Sequence, residues 1–266
     1  MSDLLEVKAA MLAVKENTNL PIFVTMTFMK SERTYLGCTP ESFALMAGRL
    51  GAAAVGLNCS LAPREVAPVV RRMARVTRLP LIVKPNAGMP DKDGNYSLGP
   101  EAFAEQMAAF AGLGAKVVGG CCGTTPEYIG ALRKTYEGLR PAYRAVEDTS
   151  RLIASPCAVA DVSGFRAPAE RALRGASAEE AAQNALRHAE EAGAEIVSVS
   201  LEGLAPEEAE RAVLLVQQQS TRPVCILSGS DAALEAALRV VSGTAAVLRG
   251  CCPEETAARY GAVLIG

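Results

Sequence analysis

Two cysteines stand side by side in GGCCGTTPEY, at Cys121 and Cys122, and a third, Cys59, closes the run AAAVGLNC. Neighbouring cysteines rarely pair with each other, because the ring they would close is strained. They are either small core residues or two thiols aimed at one target. Cys59 follows AAAVGLN (52–58), and the pair follows AKVVGG (115–120); both runs read as strands. In a parallel α/β barrel, reactive groups collect at the C-terminal ends of strands. All three sulfurs are therefore expected at one mouth. The strand LPLIVKP (79–85) lies between them in sequence and brings Asn86 to the same place. Three thiolates with an open fourth position form a catalytic zinc pattern, whereas a structural site is usually closed by four protein ligands. Glycines 119, 120 and 123 let the backbone turn tightly enough to aim consecutive side chains at one ion. The spacing is not a CxxC knuckle. Taken alone, it leaves a zinc centre and three buried fillers equally open. Asn86 divides in the same way, between an oxygen offered near the metal or the substrate and a cap on the turn before GMPDKDGNY.

The elements that must position these residues alternate along the chain. Further strand-like runs are PIFVTMTF (21–28), PCAVADV (156–162), AEIVSVS (194–200), RPVCILS (222–228) and TAAVLRG (244–250). Between them lie amphipathic stretches such as PESFALMAGRLG (40–51), PREVAPVVRRMARV (63–76) and AEEAAQNALRHAEEAG (178–193). Apolar strands alternating with helices predict parallel strands covered by helices. Eight such units would close a parallel (βα)8 barrel of the TIM type. There is also an internal repeat. GAAAVGLNCSLAPREVAPVVRRMARVTRLPLIV parallels GAEIVSVSLEGLAPEEAERAVLLVQQQSTRPVCIL, and AKVVGGCCGTTPEY parallels TAAVLRGCCPEETAARY. The α/β fold is thus expected to consist of two four-unit halves, residues 1–140 and 152–266, joined through a polar segment. The alternative is two open half-barrels, each paired with another chain, as in a homo-oligomer, or with further sequence.

Bulk properties exclude several classes. Half of the 266 residues are hydrophobic, and the net charge is −2 with both signs interspersed. Neither nucleic acid nor an anionic membrane is an expected partner. No apolar run reaches membrane-spanning length, and MSDLLEVKAA is not a signal peptide. A cytoplasmic setting follows, where cysteines stay reduced; eight of them then suggest metal or thiol chemistry more than disulfides. Cys38, Cys157 and Cys225 read as small buried residues. The single histidine, His188, falls mid-helix and reads as a surface or interface residue. No phosphate-binding loop or GxGxxG turn is present.

GLNCS, then KPNAG, then GGCCGTTPEYI resembles the homocysteine S-methyltransferase family, as do DLLEVKAAMLAVKE and MTFMKSERTYLGCTPESFA. Within it the likeness is to the homocysteine domain of cobalamin-dependent methionine synthases, over residues 1–138. The resemblance implies that Cys59, Cys121 and Cys122 are zinc ligands and that homocysteine sulfur takes the fourth position. It implies methyl transfer to a homocysteine thiolate, giving methionine. The chemistry is coherent: a thiol titrates near ~8.5, and a metal makes its thiolate available at neutral pH. Three cysteine thiolates leave the centre at about −1, which keeps the substrate sulfur electron-rich. The family's barrel has eight strands, and this chain matches the last four; the DGAMGT-like motif and acidic strand end of the first four are absent. A partial or truncated enzyme is therefore expected, with a non-catalytic zinc-binding or scaffold remnant as the alternative. No DxHxxG signature is present, so methylcobalamin would come from another domain or protein.

The second half resembles the start of the pterin-binding barrel of the same enzymes, in degenerate form. Where that family has GERTN-, DVN-, IDSSD- and NSVNG-like stretches, this chain reads ADVSGFR, SVS, LSGSD and VLRGCC. Asp161 and Asp231 are left as candidate pterin contacts, or equally as turn and cap residues. Cys251 and Cys252 echo the first pair, but the position matching Cys59 falls near Ser200 or Leu201, so a second metal set would be incomplete.

Overall fold

A computed structural model describes residues 1–248 and 252–266. Contacts divide the chain into two compact units: Met1–Asp3 with Asn19–Asp148, and Leu4–Thr18 with Thr149–Gly266. The first helix, α1 (Leu4–Asn17), thus belongs to the second unit, although a short stretch before it and the long stretch after it belong to the first.

The first unit is a four-stranded parallel sheet in sequential order, β1 (Phe23–Met26), β2 (Ala54–Asn58), β3 (Leu81–Lys84) and β4 (Ala115–Val118). Helices α2 (Pro40–Arg49), α3 (Pro63–Val76), α4 (Pro100–Gly112) and α5 (Pro126–Tyr136) connect and follow the strands. Each of these helices opens on a proline at a position whose N–H has no partner in any helix. Thr39 caps α2 by accepting the Ser42 N–H at 3.1 Å, and at α3 the Ala62 N–H donates to the Glu65 carboxylate at 3.0 Å. Alternation splits the strands into two faces. Val24, Met26, Val55, Leu57, Leu81 and Val83 are buried, as are Phe43, Met46, Val69, Met73, Phe103 and Met107 on the helices. The opposite face carries Thr25, Asn58 and Lys84, all half-buried.

The second unit has its own parallel sheet in the order β10-β9-β8-β7, formed by β7 (Val197–Ser200), β8 (Val224–Leu227), β9 (Ala246–Leu248) and β10 (Val263–Ile265). Its helices are α1, α6 (Ala178–Glu191), α7 (Pro206–Gln219), α8 (Asp231–Val240) and α9 (Glu254–Tyr260). The sequence repeat appears as β2–α3–β3 against β7–α7–β8, with Pro63 and Pro206 at corresponding helix starts.

One strand assignment is corrected. Residues 156–162, expected as a parallel strand, instead contribute β6 (Val159–Asp161), which pairs antiparallel with β5 (Leu152–Ala154). Pro156 lies in the turn between them, where the Ser155 hydroxyl accepts the Ala158 N–H at 3.1 Å. The turn reverses the chain, so Val159–Asp161 returns antiparallel along β5 and does not enter the parallel sheet. The fourth parallel strand is β10, in the terminal GAVLIG. The hairpin fills one face of the second sheet: Ile153, Ala160 and Val162 pack with Cys225, Leu227, Ala246, Val263 and Ile265.

Lys8 on α1 is fully buried, and its ammonium donates to the Leu238 and Val241 carbonyls at 2.8 and 2.9 Å. These are terminal carbonyls of α8, which have no partner within the helix. Burial pulls the Lys8 ammonium down to about 7. A neutral amine still offers two N–H groups to two carbonyls, so deprotonation leaves both bonds possible. Above that value the unfolded chain carries a proton that the folded chain lacks, until the ordinary value of 10.5 is reached. Stability therefore rises with pH across this window and is flat below it, by at most about 1.4 kcal/mol per pH unit. Thermal unfolding of wild type and Lys8→Met at about pH 7 and about pH 9.5 should show this rise in wild type and its loss in the variant.

Candidate metal centre

The thiol site is built around the segment that leaves β3. The Lys84 carbonyl accepts the Cys59 N–H at 2.9 Å, and the Pro85 carbonyl accepts the Cys121 N–H at 2.9 Å. The Asn86 side-chain oxygen accepts the Cys122 N–H at 3.1 Å. In return the Asn86 N–H donates to Leu61 and the Ala87 N–H to Cys122, at 2.9 and 3.0 Å. Strand ends from β2 and β4 are thus tied to the same four residues. Cys59 and Ser60 both adopt left-handed backbone, with φ of 69° and 71°. For residues with a Cβ this costs on the order of 1–2 kcal/mol each, and strain of this kind gathers at functional sites.

The outcome is convergence. The three Sγ atoms of Cys59, Cys121 and Cys122 lie within 4.8 Å of one another, and Cys59 Sγ stands 3.5 Å from Cys122 Sγ. A tetrahedral zinc with bonds of about 2.3 Å sets sulfurs roughly 3.8 Å apart, so the donor set fits that ion. Cys122 is exposed while Cys59 and Cys121 are half-buried, so a further ligand has an approach. Asn86, 5 % exposed, adjoins the cluster through its bond from the Cys122 N–H.

Electrostatics divide the three thiols. Desolvation alone would raise the Cys59 thiol, yet it is held below its ordinary value by the Ser60 N–H and by hydrogen bonds from Cys122, Cys121 and Asn86. Cys122 is pushed up to about 11, first by its hydrogen bond with Cys59, then by desolvation and the charge of its neighbours. One thiolate forms readily, and adjacent negative charge opposes the next; a divalent cation would relieve that opposition.

Tyr96 is a member of the site that its sequence context did not reveal. Its phenol is pushed up by desolvation and by the charge of Cys122 and Cys59. The turn PDKDGN places it there. Asp91 accepts the N–H groups of Asp93 and Asn95, both at 2.9 Å, and the chain returns so that Tyr96 bridges to Pro90. Gly123 completes the fit. Its φ is +78°, and a Cβ there would stand 2.2 Å from the Tyr96 ring.

The other candidates belong to the second unit. Asp161 ends β6 and accepts the Ser163 N–H at 2.7 Å, while Asp231 opens α8 just after the capping Ser230. His188 is half-buried in the last turn of α6. Cys225 is buried at 0 % exposure and its thiol is pushed up to about 12 by desolvation. Cys252 is buried, with its thiol directed at the Pro253 carbonyl at 3.3 Å; Cys251 lies outside the described residues.

A family profile described as homocysteine S-methyltransferase matches residues 1–136, just over half of the chain. The chain belongs to the homocysteine S-methyltransferase family. Among relatives, methionine synthase from Mycobacterium leprae is 37 % identical over 136 residues, which are 48 % of this chain and 11 % of that protein. The chain therefore spans about a tenth of that relative's length. Among solved structures, the homocysteine methyltransferase MmuM from Escherichia coli in its oxidised form is 28 % identical, with 50 % of this chain and 42 % of that chain covered and a TM-score of 0.41. Its apo form is 27 % identical over 51 % and 46 %, with a TM-score of 0.40. The family match of this homocysteine S-methyltransferase homologue covers the three thiols and most of the first unit, together with α1 of the second. Among the described residues, no helix is long and apolar enough to cross a membrane.

In the metal-free protein Cys59 should be alkylated by iodoacetamide ahead of Cys122 near pH 8, despite the greater exposure of Cys122, because the thiolate is the nucleophile. Peptide mapping at short reaction times checks the order.

Proposed function

We propose that this protein binds zinc through Cys59, Cys121 and Cys122 and uses it to present homocysteine as a thiolate for methyl transfer, giving methionine. The observation that carries the reading is the convergence of three sulfurs within 4.8 Å at the ends of β2 and β4. When bound, zinc would keep the substrate sulfur ionised at neutral pH, so that no protein general base is required. The chain's own residues supply the rest. Asn86 fixes the Cys122 backbone through its side-chain oxygen and supports the Cys59 thiolate. The Tyr96 ring packs at Gly123, next to the cysteine pair, and its phenol feels the charge of Cys122 and Cys59. Gly123 makes the room that the Tyr96 ring needs.

The methyl donor is carried by another domain or protein, with methylcobalamin as the family's example. The closed (βα)8 barrel anticipated from the sequence is part of the same reading. What supports it is that each unit holds a four-stranded parallel sheet, and parallel edges are costly unless paired. One observation favours the alternative of a non-catalytic remnant. In the second unit the hairpin fills a face of the sheet with apolar side chains, where a pterin ring would otherwise need polar partners.

Elemental analysis of the purified protein should find about one zinc per chain, as expected for a single three-cysteine site. Cys59→Ser, Cys121→Ser and Cys122→Ser should each lose most of it. With homocysteine and free methylcobalamin, wild type should form methionine. Zinc retained equally by all three variants would overturn the ligand assignment. Zinc without methionine would select the remnant.

A further inference from the structure

One charged group on the first sheet has no assigned role. Lys84 ends β3, directly opposite Asn58 in the register with β2. It faces away from the helix-covered side that Leu81 and Val83 occupy. Its stem runs beside Gly119, since a Cβ on that glycine would lie 3.5 Å from Lys84 Cγ and 3.8 Å from Cδ. Gly119 stands two residues before Cys121, and the Lys84 carbonyl itself holds the Cys59 N–H. The lysine therefore belongs to the same strand-end layer as the thiols.

Among the described residues no carboxylate pairs with it. Elsewhere in this unit Arg72 meets Glu41 and Glu32, Lys30 meets Glu65, and Arg75 meets Glu147. Among the described residues the half-buried Lys84 ammonium has neither an ion pair nor a hydrogen-bond partner. Next to it, Asn58 accepts the Thr25 hydroxyl on its side-chain oxygen at 2.8 Å, and its amide N–H groups have no protein acceptor among the described residues. A partly desolvated cation beside uncommitted N–H donors suits an anion, and repels a second ammonium.

We propose that Lys84, with the Asn58 amide, receives the carboxylate of a thiol-bearing acid whose sulfur is held at the Cys59, Cys121 and Cys122 site. Lys84 is then a specificity-determining residue, selecting thiols that carry a carboxylate a few bonds from the sulfur. The inference rests on the metal–thiol reading above and adds the other end of the ligand.

The test uses the full chain loaded with cobalt(II), whose thiolate absorption reports entry of a further sulfur. Three probes are titrated: homocysteine; 3-aminopropane-1-thiol, which lacks the carboxylate; and 4-mercaptobutanoate, which lacks the amine. Wild type should bind both carboxylates at least about tenfold more tightly than the aminothiol, the range for a hydrogen bond to a charged group. Lys84→Met should erase that ratio and leave affinity for the aminothiol within about twofold, whereas Lys84→Arg should keep it. The ratio is insensitive to a general loss of structure, which would weaken all three probes together. A carboxylate preference unchanged in Lys84→Met, or no preference in wild type that nonetheless binds thiols, overturns the proposal and leaves the metal–thiol reading standing. Failure of wild type to take up cobalt or to respond to any thiol overturns both.

Discussion

The arrangement of the first unit depends on one constraint: two neighbouring residues and a third from another strand must direct their side chains to a single point. Consecutive side chains on an extended chain diverge, so the backbone at Cys121–Cys122 has to leave strand geometry. The four residues Lys84–Ala87 impose this. Two carbonyls, one side-chain oxygen and two N–H groups from that segment bind the ends of β2 and β4 and the loop after β2. Pro85 lies within the segment and has no N–H, so the ladder ends there and the carbonyls on either side become available to the thiol loops. Left-handed backbone at Cys59 and Ser60 is tolerated because those ties over-determine it.

The two sheets make opposite use of similar topology. Both are four parallel strands in sequential order, and both follow the same β–α–β repeat. On the first, the face away from the helices carries Thr25, Asn58 and Lys84. On the second, the corresponding kind of surface meets the hairpin and is packed with Ile153, Val162, Leu227 and Ile265. Desolvated polar groups without partners are costly, so they persist where a ligand completes them and give way to aliphatic packing where none does. The chemistry of this chain accordingly concentrates on one unit.

Much of the site was legible because its signals are local. Three cysteines placed directly after strand-like runs, with glycines around the pair, point to one strand-end mouth without knowledge of the whole fold. Tyr96 was not legible, because its position depends on a loop that doubles back from Pro90, and nothing in its own neighbourhood marks an approach to Cys122. The strand reading of 156–162 failed because period and β-propensity do not distinguish a parallel strand from the return arm of a hairpin, which the Ser155–Ala158 turn makes it. β10 was missed since four apolar residues after a seven-residue helix carry little periodic signal. Nothing in the sequence singles out Lys8; only tertiary packing puts it against the end of α8.

The placement of α1 bears on how this protein can be inherited and handled. The family match runs unbroken from residue 1 to 136, yet residues 4–18 are packed with the unit formed by the C-terminal half. Ancestry and structural membership therefore part company at that helix. A gene cut at the junction of the two sequence halves would strip the second unit of a helix whose buried lysine meets the end of α8, and would leave that helix on the first without its packing partner. Recombination between relatives at that junction would carry α1 along with the wrong half.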